Sequence, residues 1–280
     1  MSSPEPEKGA PRAATRIFFE GRYRKLVRDL PQTIFHCPEC RGRGCARCEG
    51  FGKLTKDSVQ ELIARLAMPH FRAPRHGHKF HGAGREDVDV RMLGRGRPFV
   101  FEIEKAREPE ASLEELARLV NERCAGRLEL LDLRWCQRAR VAEVKEEQHA
   151  KDYGLLVRAD HPIDVAPLRE RLLQRVVLKQ RTPERVAHRR ADLERERWIE
   201  LRAIEVLEPD ASGRSSRFSL AIRSEHGTYI KEAVSGDAGR TQPSVSAWLE
   251  APCVCEELDV LDLVEVGSPR KEFGAGLPSA

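Results

Sequence analysis

Four cysteines fall within twelve residues of this 280-residue chain, and no other feature restricts its local fold as strongly. They form two CxxC pairs, Cys37 with Cys40 and Cys45 with Cys48. Glycines between and after the pairs allow the tight turns that point thiolates inward. Paired CxxC motifs at this spacing are typical of closed, tetrahedral zinc sites with four cysteine ligands. We therefore expect a structural zinc ion in a cysteine module (residues 35–54).

Two other interpretations of the cysteines stay open. The four-residue spacer is short, and chaperone zinc modules with a similar CxxCxGxG pattern take their pairs from distant segments. This chain would then supply half of a site that another chain completes. The plainest alternative is four thiols without a metal. A disulfide framework is not indicated, because a cysteine cluster without a secretory signal is typical of a reducing compartment.

The charge of the chain excludes some classes of protein. Charged residues make up 34% of it, aromatic residues 6%, and the net charge is +4. This balance suits a local basic face better than a wholly cationic protein. No apolar run approaches the roughly 20 residues that span a bilayer, and the polar start MSSPEPEKGAPRAA is unlike a signal peptide. We expect a cytoplasmic protein without membrane association and, since no oligomerisation stripe is visible, a monomer.

Composition divides the chain into four parts. Residues 1–15 and 267–280 are predicted to be disordered or flexible. Residues 16–56 form a basic segment that includes the cysteine module, and residues 57–266 form one large domain. The basic segment holds ten Lys or Arg against four Asp or Glu. Contact with an RNA backbone explains this excess, but a solvated charged face explains it almost as well.

The predicted elements are those of an α+β domain. Ser58 with Glu61 and Ser112 with Glu115 make capping boxes that open two amphipathic helices. Residues 167–174 are also predicted to be helical. Strand patterns lie at 98–103, 128–135, 155–158, 198–206, 218–223 and 258–266. Strands and helices mix without a βαβ rhythm, so we expect a mixed, mainly antiparallel sheet flanked by helices.

The stretch KFHGAGREDVDVRMLGRGR, residues 79–97, has the properties of a reactive-carboxylate site. Asp87 follows two glycines, Gly82 and Gly84, and lies near Arg85. A glycine turn lets a substrate approach the backbone, and a cation keeps the acid ionised. Asp87 could also be a turn-capping residue with Asp89 as its partner. A third possibility is a metal-dependent nuclease or glycosidase that uses Asp87 and Asp89 as a carboxylate pair.

Longer strings resemble one family. FHGAGREDVDVRMLGRGRPF (80–99) resembles the archaeal and eukaryotic tRNA pseudouridine synthases that act on T-loop uridines. HGTYIKE (226–232) resembles their GTYI-[KR] motif. QRTPERVAHRRADL (180–193) and GDAGRTQPS (236–244) resemble two further segments. The resemblance covers about residues 16–266 and implies a pseudouridine synthase fold, a tRNA T-arm substrate, and no cofactor for the chemistry.

The resemblance also implies roles for individual residues. Asp87 matches the carboxylate that acts as nucleophile or base at the ribose C1′. Lys231 matches its ion-pair partner, and Tyr153 the tyrosine that stacks on the flipped base. Residues 57–266 would be the catalytic domain. The expected substrate-binding residues are Arg85, Tyr229, Ile230, Leu258 and Arg240, with Arg185, Arg189 and Arg190 on a basic track for the RNA backbone.

The chain departs from the family pattern in two places. Tyr153 ends the string HAKDY, whereas relatives more often have a threonine before this tyrosine. Larger members carry an N-terminal THUMP-type RNA-binding domain, whereas only about fifteen residues precede the match here. We therefore expect a short form, a fragment, or a different grip on tRNA. Modification of position 55, position 54 or both stays open. The alternative function is a non-catalytic RNA-binding zinc protein or tRNA-folding chaperone on a synthase scaffold.

Overall fold

A computed structural model describes residues 14–188 and 190–264 of the chain. The predicted flexible tail (267–280) and nearly all of the predicted disordered N-terminus (1–15) therefore lie outside the described residues. Arg189, predicted to contact RNA, also lies outside them.

The described residues contain ten strands and seven α-helices. The strands are β1 (Thr15–Lys25), β2 (His78–Gly82), β3 (Val90–Ala106), β4 (Leu128–Trp135), β5 (Ala150–Ile163), β6 (Arg175–Arg181), β7 (Glu194–Leu207), β8 (Ser215–Ser224), β9 (Thr241–Gln242) and β10 (Cys253–Val264). The helices are α1 (Val59–His70), α2 (Leu113–Arg123), α3 (Arg140–Glu146), α4 (Ala166–Arg169), α5 (Glu184–Ala187), α6 (Ile230–Ser235) and α7 (Val245–Leu249). The α+β prediction with a mainly antiparallel sheet is confirmed.

The described chain divides into two compact units. The first contains residues 14–22, 31–85 and 98–146, and the second contains residues 23–30, 86–97 and 147–264. Strands β1 and β3 each contribute residues to both units.

The first unit is built on strands in the order β4-β1-β3, with β2 also paired to β3. Its core contains stacked aromatic rings, with the ring centroids of Phe19 and Phe101 5.4 Å apart. Both predicted helix starts are confirmed, because the hydroxyls of Ser58 and Ser112 each accept a hydrogen bond from the backbone N–H three residues later, at 3.2 Å.

The second unit has the strand order β3-β10-β5-β8-β7-β6-β9. Strand β10 pairs in parallel with the start of β3, where Leu258 is opposite Val90, and antiparallel with β5, where Val260 is opposite Tyr153. The last strand of the described chain therefore lies between two earlier ones. It carries Leu258 next to the segment that follows Asp87.

One local prediction needs correction, and one helix was not predicted. The predicted helix at 167–174 is only the short α4, because Leu173 has a positive φ of 62° and its N–H pairs with the carbonyl of Leu201 at 2.8 Å. Helix α6, which begins inside the GTYIK motif, gave no periodic signal, because six residues are too few to show one. Among the residues described, no helix has the length and apolar character needed to cross a membrane.

Candidate active site and cysteine centre

Asp87 lies in a short loop, residues 86–89, that leads into β3 (the Asp87 loop). Its neighbour Glu86 is buried, and its carboxylate contacts the Arg97 guanidinium at 2.7 Å. The Tyr23 hydroxyl donates to both oxygens of Glu86, at 2.8 and 3.0 Å. Glu86 therefore anchors the loop in the core. This leaves the half-buried Asp87 as the carboxylate of the GRED segment that solvent can reach.

Arg185 is the cation that contacts Asp87. Its guanidinium lies 2.9 Å from the Asp87 carboxylate and 2.6 Å from that of Glu232. Arg185 comes from α5, in the RTPERV segment, and Glu232 is buried in α6. The sequence analysis expected Arg185 on an RNA-backbone track, whereas here it bridges two carboxylates. Glu232 was missed because a glutamate in the first turn of a helix usually has only a capping role.

Lys231 does not form the ion pair that we expected. Its ammonium contacts the carboxylate of Asp89 at 2.5 Å, while Arg185 occupies the carboxylate of Asp87. Burial raises the pKa of Asp89, but the hydrogen bond and charge of Lys231 outweigh it and hold this pKa below its usual range. Arg185 is anchored by the buried Glu232, which directs its guanidinium to Asp87. Asp89, expected to be incidental, is therefore part of the charged cluster.

Tyr153 lies on β5 with only 9% of its surface exposed. Burial raises the pKa of its hydroxyl to about 12, although Arg97 and a hydrogen bond with Ser224 oppose the rise. Lys151, two residues earlier on the same face of β5, is also buried. Burial and the nearby charge of Arg97 lower the pKa of Lys151 to about 8, so its charge changes near neutral pH.

The expected apolar pocket residues lie at the start of α6 and in the middle of β10. Ile230 and Leu258 are both buried. The side-chain amide of Gln180 donates to the carbonyl of Tyr229 and accepts from its N–H, each at 3.0 Å, which fixes the residue before α6. Gln180 was not singled out from sequence. Its position at the start of the TPERV segment was the available signal.

The remaining predicted site residues lie elsewhere. The Arg240 guanidinium donates to the carbonyl of Thr182 at 2.5 Å and to the carboxylate of Asp192 at 3.0 Å, so it braces the RTPERV segment from behind. Arg190 is exposed. Within the first unit, the Arg85 guanidinium lies 5.1 Å from the ring centre of Phe35, an arrangement typical of a cation–π contact.

The basic segment (16–56) was expected either to contact RNA or to form a solvated charged face, but part of it, at the end of β1, points inward. The Lys25 ammonium is buried and hydrogen-bonds to backbone carbonyls, including those of Asp87 and Val88. Arg28 donates to the carbonyl of Leu258 at 2.8 Å and contacts the buried Asp259. The missed signal was the spacing of Tyr23 and Lys25, which places both side chains on one face of a strand.

The four cysteines of the cysteine module come together within one chain, with their Sγ atoms all within 4.8 Å of one another. Three of the Sγ–Sγ distances are 3.7 Å: Cys37–Cys45, Cys40–Cys48 and Cys45–Cys48. Zn–S bonds of about 2.3 Å in a tetrahedron place sulfurs about 3.8 Å apart, so this donor set fits zinc. A half-site completed by another chain is not supported, because all four ligands belong to this chain.

The turns of the cysteine module depend on two glycines. A Cβ atom on Gly44 would lie 2.7 Å from the carbonyl oxygen of Gly50, and one on Gly52 would lie 2.4 Å from that of Gly42. Backbone N–H groups of Gly44 and Gly52 also donate to the sulfurs of Cys40 and Cys48 at 3.2 Å. The turns thus direct donors to sulfur atoms that carry negative charge when a metal is bound.

Comparison with known proteins identifies the family. The family model described as "Pus10, C-terminal" matches residues 18–264. A protein named tRNA pseudouridine synthase Pus10 from Methanothermobacter marburgensis is 46% identical over 255 residues, which are 90% of this chain and 60% of that protein. Its namesake from Methanothrix thermoacetophila is 42% identical over 248 residues, 88% of this chain and 53% of that protein. The chain thus spans little more than half the length of these relatives.

Among solved structures, a Cbf5-Nop10-Gar1 complex aligns over 85% of this chain and 61% of the matched chain, at 15% identity and a TM-score of 0.38, which is too low to support a conclusion. The family model and the two curated relatives agree with the resemblance found in the motifs. The chain belongs to the Pus10 family, through the family's C-terminal region.

Proposed function

We propose that this chain isomerises uridine to pseudouridine in the T-loop of tRNA, at position 55 and in some substrates at position 54. The carrying observation is the half-buried carboxylate of Asp87, which is ion-paired to Arg185 within a loop anchored by buried charges. Relatives with 42–46% identity bear the name tRNA pseudouridine synthase. Because the chain spans little more than half of them, the activity of the whole proteins is transferred here as a proposal.

The reaction needs an ionised carboxylate near the ribose C1′. Asp87 acts there as nucleophile or as general base while the bond from N1 to C1′ breaks. The freed uracil turns, C5 bonds to C1′, the proton on C5 is lost, and N1 gains a proton. Substrate and product are isomers, so no cofactor or redox partner is required.

Two cations pair with the carboxylates of Asp87 and Asp89. Arg185 pairs with the carboxylate of Asp87, and Lys231 pairs with Asp89, which would otherwise repel an incoming phosphate backbone. This assignment replaces Lys231, the partner of Asp87 expected from sequence, by Arg185. The role of Lys231 is to keep the second carboxylate of the loop paired.

The base pocket is assigned to Tyr153, Tyr229, Ile230 and Leu258. A uridine must leave its stack to reach Asp87, and an aromatic face with apolar walls favours the flipped base. Tyr153 is only 9% exposed, so the base would contact the small accessible part of its ring.

The tRNA backbone is assigned to the 185–190 segment, with Arg189 and the exposed Arg190 as contacts and Arg185 at the boundary with the active site. Arg85 and Arg240 are less direct, because Arg85 packs on Phe35 and Arg240 braces Thr182. The cysteine module is assigned a structural zinc ion. Zinc would fix its turns and take no part in the isomerisation.

Pseudouridine mapping on a T-arm transcript tests the proposal. Wild-type protein should convert position 55, and Asp87→Asn should lower the single-turnover rate by about 10⁴-fold or more. The matched control is Asp160→Asn, which removes an exposed carboxylate on β5 and should leave the rate unchanged.

The other functions predict different results. A non-catalytic RNA-binding protein would give no pseudouridine with the wild type and equal RNA binding with Asp87→Asn. A carboxylate pair that binds a catalytic metal would lose activity to a chelator, recover it with Mg²⁺, and require Asp89 as much as Asp87. Either outcome would overturn the assignment of Asp87.

A further inference from the structure

Lys25 is a fully buried lysine whose ammonium is hydrogen-bonded to carbonyl oxygens. Its exposed fraction is 0%, and its Nζ lies 2.8 Å from the carbonyl oxygen of Leu30, 3.1 Å from that of Asp87 and 3.0 Å from that of Val88. An ammonium has three N–H donors, and three acceptors surround it here. Lys25 thus ties the Asp87 loop to the segment that follows β1.

Burying a charge without a directly contacting carboxylate is expensive, by several kcal/mol in real proteins. This cost affects Lys25, because burial lowers the pKa of its ammonium even though the charges of Glu86 and Asp89 raise it. An apolar residue of similar length would fill the same space without that penalty. Only the ammonium can hold the three carbonyl groups in fixed positions, because it donates a hydrogen bond to each.

The segment of residues 23–30, which includes the end of β1, contacts every residue of the Asp87 loop. Tyr23 holds the side chain of Glu86, Lys25 holds the carbonyls of Asp87 and Val88, and the Arg28 guanidinium lies 3.3 Å from the carbonyl of Asp89. Three consecutive carbonyls, those of residues 87, 88 and 89, thus accept hydrogen bonds from two side chains of one segment.

We propose that Lys25, assisted by Arg28, is a positioning residue that fixes the backbone of the Asp87 loop and so directs the Asp87 carboxylate. This inference rests on the proposed function, because it explains how the reactive group is held. The carbonyl of Asp87 belongs to the peptide plane that follows the Asp87 Cα, and the carbonyl of Val88 belongs to the next plane. Fixing both limits rotation of the backbone that carries the Asp87 side chain. Displacing a catalytic group by about 1 Å is enough to lower a rate about 100-fold.

The test compares Lys25→Met with wild type, with Lys145→Met as the control because Lys145 is an exposed lysine of α3. Three quantities are measured on the full chain: the single-turnover rate at saturating T-arm RNA, the RNA dissociation constant, and the fraction of protein that binds RNA in a stoichiometric titration. We expect Lys25→Met to lower the rate about 100-fold, with the other two quantities unchanged. A general folding defect would instead lower the RNA-binding fraction in step with the rate.

Hydrogen exchange supplies a readout that does not depend on activity. The amides of residues 87–90 should exchange at least about tenfold faster in Lys25→Met, while amides of β8 keep their protection. If Lys25→Met does not fold, Arg28→Met takes its place, since Arg28 is partly exposed and, within the Asp87 loop, its removal releases only the carbonyl of Asp89. A smaller rate loss, about tenfold, is then expected, with faster exchange at residues 89–90.

Two outcomes would overturn the inference. One is an unchanged rate and unchanged exchange in Lys25→Met. The other is a weaker RNA affinity with an unchanged rate, which would assign the lysine to RNA binding. Failure of the proposed function is distinguishable, because wild-type protein would then make no pseudouridine while the exchange difference at residues 87–90 would persist.

Discussion

The cysteine module and the Asp87 loop are both short segments that follow or contain glycine and concentrate ionisable groups, yet they are held by different means. In the cysteine module, four thiols converge within 4.8 Å of one another, a donor set that fits a metal ion from outside the chain. In the Asp87 loop, buried cations of the protein itself hold the carboxylates and carbonyls. The first segment should therefore depend on zinc, and the second on long-range side-chain contacts.

Removing the metal should have the largest effect and should separate the two segments. Structural zinc sites in small modules contribute about 10–16 kcal/mol of apparent binding free energy at pH 7. A chelator should release about one zinc ion per chain and expose amides 37–52 to hydrogen exchange, while amides 86–90 keep their protection. Cys40→Ser should reproduce this loss, and Cys136→Ser, outside the cysteine module, should retain zinc. Equal exposure of both segments would show that they form one cooperative unit.

Breaking the buried ion pair between Glu86 and Arg97 should have the second-largest effect on stability. Glu86→Gln leaves Arg97 buried beside a neutral amide, and removing one partner of a buried ion pair destabilises by about 3–5 kcal/mol. Chemical denaturation measures the effect. The control is Glu122→Gln, which breaks the exposed Arg118–Glu122 pair and should cost at most about 0.5 kcal/mol. A stability loss as small as that of the control would mean that Glu86 does not anchor the loop.

Removing Arg185 should destabilise the protein less than Glu86→Gln does, but should lower its activity more. Arg185→Met deprives Asp87 of its partner and leaves the buried Glu232 without its cation. Since Arg185 is itself partly exposed, we expect a loss of about 1.5–3 kcal/mol, the range for hydrogen bonds to charged groups, measured by denaturation. The pseudouridylation rate should fall by more than it does in Arg190→Met, because Arg190 is exposed and is proposed only as a contact of the RNA backbone.

The smallest expected effect concerns Lys231 and is seen as a change with pH. Lys231 holds the pKa of Asp89 below its usual value of 3.8. A carboxyl with a lowered folded-state pKa contributes stability above about pH 3.8, and this contribution is lost as the pH falls through the folded-state pKa. Lys231→Met should raise the pKa of Asp89 in a carboxyl NMR titration. It should also narrow the pH range in which Asp89 contributes stability. An unchanged titration would mean that the Lys231–Asp89 contact is not maintained in solution.

Sequence patterns were sufficient where a feature is local. The two capping boxes, the paired CxxC motifs and the strand alternation each depend on neighbours within a few residues. The capped helix starts and the strands are confirmed, and the four cysteines converge as expected, while the zinc ion itself stays a prediction. Family motifs located the loop that contains Asp87. They could not assign its partners, because Arg185 and Lys231 are both basic, both lie in recognised motifs, and differ only in which carboxylate each can reach in three dimensions.

The buried ions were beyond sequence reasoning for a related physical reason. Lys25 and Arg28 lie in a run of basic residues, and basic runs usually face solvent. Their inward direction depends on acceptors about 60 and 230 residues away, including the carbonyls of Asp87 and Leu258. A residue whose partners are backbone carbonyls gives no complementary charge pattern in the sequence. Only the folded chain could identify it.

The central position of β10 has a consequence for biosynthesis. Arg91 and Asp259, which bond across β3 and β10, are separated by 168 residues. During synthesis, β3 and β5 therefore emerge long before the strand that joins them, and each has an unpaired edge in the meantime. The site with Leu258 is completed only when residues 253–264 have left the ribosome. A chain interrupted before residue 253 should therefore leave both edges unpaired and be prone to pair with other nascent chains.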